Sequence, residues 1–516
     1  MLPDSKEVNS LFKRDICIVF IITMLATISY LPLISKGLTN PYDGLWWSSY
    51  SLASDWQISC GRWGWFILDR LRGGYAGEPF NSLLTLLFMT VSSVIIFSLW
   101  ERRTYHIVHS LLVVVCTTTC SYLSYRFQSP TFGASFFLSV AAAYVLVREL
   151  PFTDDHIKKL VTSAILLCLS LSLYQTNVGT FSAIVVINML FLLLNNKKSA
   201  VLRQLCDAFI VGISGCLIYL LIWKLFMKAK DITASGYNGT DSISISTILQ
   251  GLPIGILNTY REFLKYFASS DGYYLFRFLR VALFILVFAL VLIKGIVTLK
   301  HDISSLLLYI VLFLLLPLTS SIYFLMTPGT NLAMIQMTGS FTIVVPLLLC
   351  LLDFNETNIK RFFFTTIGIL LLYGNIYAVG TDVDAMSQGT DSTYSIMKDV
   401  QSSLISSGLY GPQYTYVYIG KMSENPLFRK NELWDRANLY AQFGNFWGGS
   451  DCLYQTYDGL MKRFGLNLPI GSPEQYEEIL SDPSTETLPV YPEEGSIIAR
   501  NDLVIIKISN KYRVDE

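Results

Sequence analysis

The feature that most restricts this 516-residue chain is a succession of long apolar runs. A helix needs about 20 mostly apolar residues to cross a bilayer core, and about eleven such runs occur. They lie near 16–34, 80–100, 106–123, 131–147, 159–173, 177–194, 207–226, 275–293, 303–326, 333–352 and 362–380. The pattern predicts an α-helical polytopic membrane protein with about 11 transmembrane helices. Composition agrees: 52% of residues are hydrophobic, 15% are charged and the mean hydropathy is +0.47, which excludes an ordinary soluble enzyme and a disordered chain. Thirty-eight basic side chains balance thirty-eight acidic ones, so no cationic field gathers nucleic acid. The first run is too long for a signal-peptide core and lacks an Ala-x-Ala-like cleavage site, so it is expected to stay as an anchor.

Lys and Arg near a membrane resist translocation. Placing the N-terminus inside puts Lys6, Lys13, Arg14, Arg102, Arg103, Arg148, Lys158, Lys159, Lys197, Lys198, Arg203, Lys294, Lys300, Lys360 and Arg361 on the cytoplasmic side, while the short outside loops keep only Arg126. Residues 1–380 then form the membrane domain, with large outside loops at 35–79 and 228–274, and 381–516 lie outside. That last stretch is polar and rich in Gly, Ser, Asp and Tyr. It predicts a small extracytoplasmic α/β domain: a helix from Ser392 to Ser406, a strand from Tyr414 to Ile419, and a hairpin turning at Arg500-Asn501-Asp502.

The middles of the runs carry no Asp, Glu, Lys or Arg, and polar groups collect in the outside loops. Ion-coupled transporters rely on mid-membrane carboxylates, broken helices or internal repeats, and none is visible here. Chemistry at the membrane surface on a lipid-tailed substrate fits better. The loop 35–79 contains Tyr42-Asp43-Gly44, then Asp55, then Gly61-Arg62-Trp63. A carboxylate there can deprotonate a hydroxyl, and an arginine across a cleft can hold a phosphate and stabilise it as it leaves. Asp43 is the first candidate base and Asp55 the second; an exposed position at the start of a helical turn also accounts for Asp55. Arg126 and Gln128 stand in the loop whose positive charge opposes the orientation bias, which suits a phosphate contact. Gln175 and Asn177 could hydrogen-bond sugar hydroxyls. Trp447 and Asp451, in a Gly- and aromatic-rich loop, suit stacking on a sugar and bonding its hydroxyls, although turn chemistry accounts for the same residues.

An Asp soon after the first span, a following Trp, Gly61-Arg62-Trp63 ahead of the second span, and Leu173-Tyr174-Gln175 at the end of the fifth resemble the bacterial type II glucosyltransferases of the Gtr group, which modify O-antigen and related cell-surface polysaccharides. The resemblance implies a GT-C type fold, a bacterial cytoplasmic (inner) membrane, and a polyprenyl-phosphate-linked hexose, usually glucose, as donor. It implies a catalytic Asp in the first outside loop, here Asp43, and adds Tyr174 to the donor contacts. Its partners would be the donor, an acceptor surface glycan and membrane lipids. Many relatives carry a second acidic residue beside the first, where this chain has Tyr42 and Gly44. No cofactor is expected, and a divalent metal, though possible in principle, has no supporting residues: His106, His109, His156 and His301 fall on the inside, and the nine cysteines form no zinc-ligand spacing. Cys60 and Cys452 alone lie outside, and a disulfide between them is not expected. The rival readings are a lipid-linked glycan flippase or channel, which would need a polar pathway through the spans, and a non-catalytic scaffold, for which Asp43 would be dispensable.

Overall fold

The computed structural model describes residues 5–47, 50–100, 106–148, 155–237, 241, 245–268, 277–326, 334–354 and 356–512. The chain is mostly helical, with a small sheet near its C-terminus. Among the described residues, seven helices are long and apolar enough to cross a membrane: Phe80–Phe97, Ser129–Val147, His156–Leu173, Gln175–Leu194, Lys198–Lys230, Phe278–Leu299 and Asn358–Ser406. An eighth is obtained by joining Ile107–Val114 to Thr117–Ser124, which meet at a 48° bend. The chain is a membrane protein, and among the described residues fewer uninterrupted spans stand than the apolar runs imply. The first run becomes a helix Ser5–Ser29 continued, after a break at Tyr30, by Leu31–Lys36. The run at 303–326 becomes Ile303–Leu314, Leu316–Ser320 and Tyr323–Met326. The run at 333–352 starts on a residue outside the described ones and ends in the helix Gly339–Asp353.

The bend corrects the expectation that helices are unbroken. At Cys116 the backbone is extended, with φ −157° and ψ 165°, although no Gly or Pro stands in this segment. Backbone groups freed inside a bilayer must find partners within the protein. The buried Tyr30 hydroxyl bonds the Val114 carbonyl at 2.9 Å and receives the Cys116 N–H at 3.0 Å, and Asn375 Nδ2 donates to the Val115 carbonyl at 3.0 Å. With those groups occupied, the break offers an ion no ring of open carbonyls, so it does not revive the transporter reading.

A continuous helix crosses the boundary drawn at residue 381. Asn358–Ser406 is one helix of 49 residues, roughly 73 Å long, and it contains both the last apolar run and the helix expected from Ser392. Its first part exposes Ile359, Phe362, Ile369 and Leu370, while Ile396, Met397, Val400 and Leu404 of its last part are buried. The composition shift at 381 marks a change of surroundings along a continuous helix. Beyond it, strands β1 (Thr415–Ile419), β2 (Ile497–Arg500) and β3 (Leu503–Lys507) form a sheet in the order β1-β3-β2. β2 and β3 make the expected hairpin, with Asn501 in the left-handed region at φ 58°, and β1 runs parallel to β3. The helix Ser450–Phe464 lies against the short helix Asp43–Trp46, joining the C-terminal region to the first loop.

Candidate active site

The strap after the first run is fastened before it reaches Asp43. Asn40 N and Nδ2 donate to the Ser124 carbonyl at 3.1 and 3.2 Å, and Thr39 Oγ1 donates to the same oxygen at 2.9 Å. Asn40 Oδ1 accepts from the N–H groups of Tyr42 and Gly44 at 3.0 and 3.1 Å, satisfying donors at the start of the helix Asp43–Trp46. This fixes the backbone that carries Asp43. A Cβ on Gly44 would stand 1.9 Å from Thr39 Oγ1, so the position has no room for a side chain.

Arg62 is set by a different part of the chain. The turn Cys60-Gly61-Arg62 needs φ +82° at Gly61, where a Cβ would lie 2.2 Å from the Tyr219 hydroxyl. Gln175 Nε2 donates to the Cys60 carbonyl at 2.7 Å, the Tyr219 hydroxyl to the Gly61 carbonyl at 3.0 Å, and Trp223 Nε1 to the Ile58 carbonyl at 2.6 Å. The Arg62 guanidinium sits over the rings of Trp65, Tyr174 and Tyr237, at 5.2, 5.6 and 5.9 Å from their centroids. Its Nε is buried without a hydrogen-bond partner. Aromatic faces attract the cation without neutralising it, so its donors remain available for an anion.

Asp43 and Arg62 face each other electrostatically. Burial pushes the half-buried Asp43 carboxyl up to about 6, against the opposing pull of Arg62. Tyr125 and Cys452 are also within electrostatic reach of Asp43. On the C-terminal side, Trp447 stacks on Tyr42 with centroids 4.5 Å apart and meets Trp46 edge-on at 6.4 Å. Trp447 keeps 40% of its surface exposed, so it borders the site with an open ring edge. Asp451 is exposed in the first turn of Ser450–Phe464.

Asp43, Arg62, Tyr174 and Trp447 therefore come together, and the other expected residues divide in two groups. Gln175 touches the turn beneath Arg62, so its amide positions the arginine. Asn177 is buried in the bundle, where Nδ2 donates to Ser135 Oγ at 2.9 Å and Oδ1 accepts from Thr180 at 3.3 Å. Gln128 is buried at the start of Ser129–Val147. Asp55 is elsewhere, 56% exposed and 3.3 Å from Lys230. Arg126 has other partners than Arg62: its Nη1 donates to the Gly37 carbonyl at 3.2 Å, and it lies near Glu78 and Arg463. Cys60 and Cys452 are free thiols. Sequence reasoning missed Asn40, Tyr219 and Arg463. Each acts on a residue distant in the chain, or through backbone atoms that no motif records.

The structure is thus a bundle of apolar helices with a carboxylate and an arginine within electrostatic reach of each other near its junction with the C-terminal region. The family described as Glucosyl transferase GtrII matches the chain over residues 49–347, and the chain belongs to it. It is a glycosyltransferase by that membership. The match includes Arg62, Arg126 and Tyr174; Asp43 lies just before it, and Trp447 and Asp451 lie beyond it. No curated protein and no solved structure matches the chain.

Proposed function

We propose that the chain is a GT-C type enzyme of a bacterial cytoplasmic membrane that moves a hexose, glucose on the family's description, from a polyprenyl phosphate to a glycan outside the cytoplasm. One observation carries the reading: a carboxyl with its pKa at about 6 faces an arginine held by three aromatic rings. Asp43 takes the proton from the acceptor hydroxyl as that oxygen attacks the anomeric carbon. Arg62 stabilises the negative charge that grows on the departing lipid phosphate. The bond from sugar to phosphate breaks as the bond to the acceptor forms, so direct attack inverts the anomeric centre and no nucleotide is used. Trp447 offers its exposed edge to the acceptor sugar.

The test is purified protein incubated with a panel of polyprenyl-phosphate sugars and candidate glycans. Glycosylated acceptor and free polyprenyl phosphate should appear in equal amounts. Lipid-linked sugar that crosses a vesicle bilayer without transfer would replace this reading with the flippase.

At neutral pH a carboxyl with pKa about 6 is mostly ionised and competent as a base, and acid protonates it. Thus kcat/KM should be level above about pH 7 and fall about tenfold per unit well below pH 6. An acid limb nearer pH 4, the range of an ordinary carboxyl, would remove buried Asp43 from the proton transfer.

The orientation follows from the Lys and Arg asymmetry, with the N-terminus inside and the C-terminal region outside. In a background without native cysteines, an impermeant thiol reagent on intact cells should label Ser481→Cys and spare Ser199→Cys; both positions are exposed on the protein. The reverse pattern would invert the topology and bring Asp43 to the cytoplasmic face.

A further inference from the structure

Apart from the Asp43 and Arg62 centre, two arginines from distant parts of the chain converge on one backbone oxygen. Arg126 Nη1 and Arg463 Nη2 donate to the Gly37 carbonyl at 3.2 and 2.9 Å. Gly37 closes the helix Leu31–Lys36, where the first apolar run ends, and Arg463 stands in the last turn of Ser450–Phe464. Cys452, within reach of Asp43, belongs to the first turns of that same helix. The residues from Cys452 to Arg463 span roughly 16 Å of helix axis, so the two centres lie toward opposite ends of it.

The charges around this point do not balance within the protein. Among the described residues, neither arginine has a carboxylate within ion-pair distance. Glu78 acts on Arg126 from farther away, and burial and Arg126 together lower the pKa of Arg463 to about 10. Arg126 Nε is buried without a partner. The exposed Lys36, next to Gly37, donates to Ser387 at 2.7 Å. Holding like charges together out of water is costly unless an anion joins them. Each guanidinium carries five N–H donors in a planar fork, and a single carbonyl uses few of them. Two such forks at one point suit an oxyanion with several acceptor oxygens, and arginine pairs with phosphate through two parallel bonds. The level in the membrane agrees: Gly37 directly follows an apolar run, and Ser387 lies just past the apolar part of Asn358–Ser406, where lipid head groups stand.

We propose that Arg126 and Arg463 form a binding site for a phosphate ester carried on a membrane lipid, separate from the Asp43 and Arg62 centre, with the C-terminal region supplying one of its two forks. The inference does not depend on which sugar is transferred, or on transfer at all. The lipid is either the polyprenyl phosphate of the substrate or an ordinary anionic phospholipid, and the two are told apart by titration.

The experiment uses full-length protein in neutral detergent, with binding of a short-chain polyprenyl phosphate, of phosphatidylglycerol and of phosphate-free diacylglycerol read by native mass spectrometry. Arg463→Gln should weaken at least one phosphate lipid by about tenfold or more, the usual scale for a charge-assisted contact, and leave diacylglycerol unchanged. Arg126→Gln should weaken the same lipid. Arg463→Lys keeps the charge and loses the fork, so it should fall between wild type and Arg463→Gln, and it carries the test if the glutamine variant does not accumulate. Loss confined to polyprenyl phosphate assigns the site to the substrate lipid; loss of both phosphate lipids assigns it to lipid phosphate in general. A folded variant that binds both as wild type does, a wild type that binds neither, or equal loss of diacylglycerol overturns the proposal.

Discussion

Asp43→Asn should lower sugar transfer by about 10²–10⁴-fold, the usual effect of losing a general base, while the protein still folds and inserts. Asparagine has the same shape and no capacity to accept the acceptor proton. The helix that carries residue 43 is set through Asn40 and the backbone N–H groups of Tyr42 and Gly44, none of which involves the Asp43 side chain. Stability should therefore move little, and removal of a half-buried carboxyl with a raised pKa can even favour the folded state. The measurement is single-turnover transfer with saturating donor, beside a thermal unfolding curve. Turnover near the wild-type rate would end the role given to Asp43. If Asp55→Asn were dead at the same time, the base would have to be sought at the exposed Asp55.

Arg62→Ala should act on the other half of the reaction. Removing one preorganised donor to a developing oxyanion costs about 10²–10³ in kcat, and here the removed group is a full charge held between Trp65, Tyr174 and Tyr237. The donor KM should rise as well, because the same guanidinium attracts the ground-state phosphate. Two features separate this defect from that of Asp43→Asn. The acid limb of the pH profile should shift upward, because the cation that favours ionised Asp43 is gone. Donors with a better leaving group should recover much of the lost rate, whereas Asp43→Asn should gain little from them. Arg62→Lys keeps the charge but forfeits the planar stacking and forked donors, so it should recover only part of the activity. An unchanged kcat in Arg62→Ala would place the phosphate elsewhere, and the Arg126 and Arg463 pair would be the first alternative.

The parts of the fold that were legible in the sequence are those fixed by local periodicity. Apolar runs near 80–100, 131–147 and 177–194 became helices because every backbone group within them finds its partner four residues away. The hairpin of β2 and β3 was legible for a similar reason: alternating apolar residues flank a turn in which Asn501 tolerates a left-handed backbone. The bend at Cys116 was not legible, since Tyr30 and Asn375, far away in the chain, make it affordable. The centre divides along the same line. Asp43, Arg62 and Tyr174 stand in short motifs and were readable. Gln175 and Asn177 look alike in sequence as polar residues at a helix end, and only their contacts separate an amide under the Arg62 turn from one consumed inside the bundle. Arg463 is one more basic residue at a helix C-terminus until Gly37 is found beside it.

The unbroken helix Asn358–Ser406 has a mechanical consequence. A continuous ladder of backbone hydrogen bonds bends only gently, and sharp kinks arise at a proline, a Gly/Ser pair, a bulge or an inserted group. This helix contains no proline and is continuous from its apolar part into the C-terminal region, so it stands as a mast through the waterline. The mast is also stayed at mid-height: Asp382 accepts from Asn438 and Tyr440, and the Tyr440 hydroxyl reaches the Thr117 carbonyl at the bent span. Together the continuous helix and the Asp382 contacts oppose a hinge-like swing of the C-terminal region. On the proposed reading, entry and exit at Asp43 would then rely on small local movements, above all at the Tyr42 and Trp447 stack, and the clearance there would set how thick a glycan could enter.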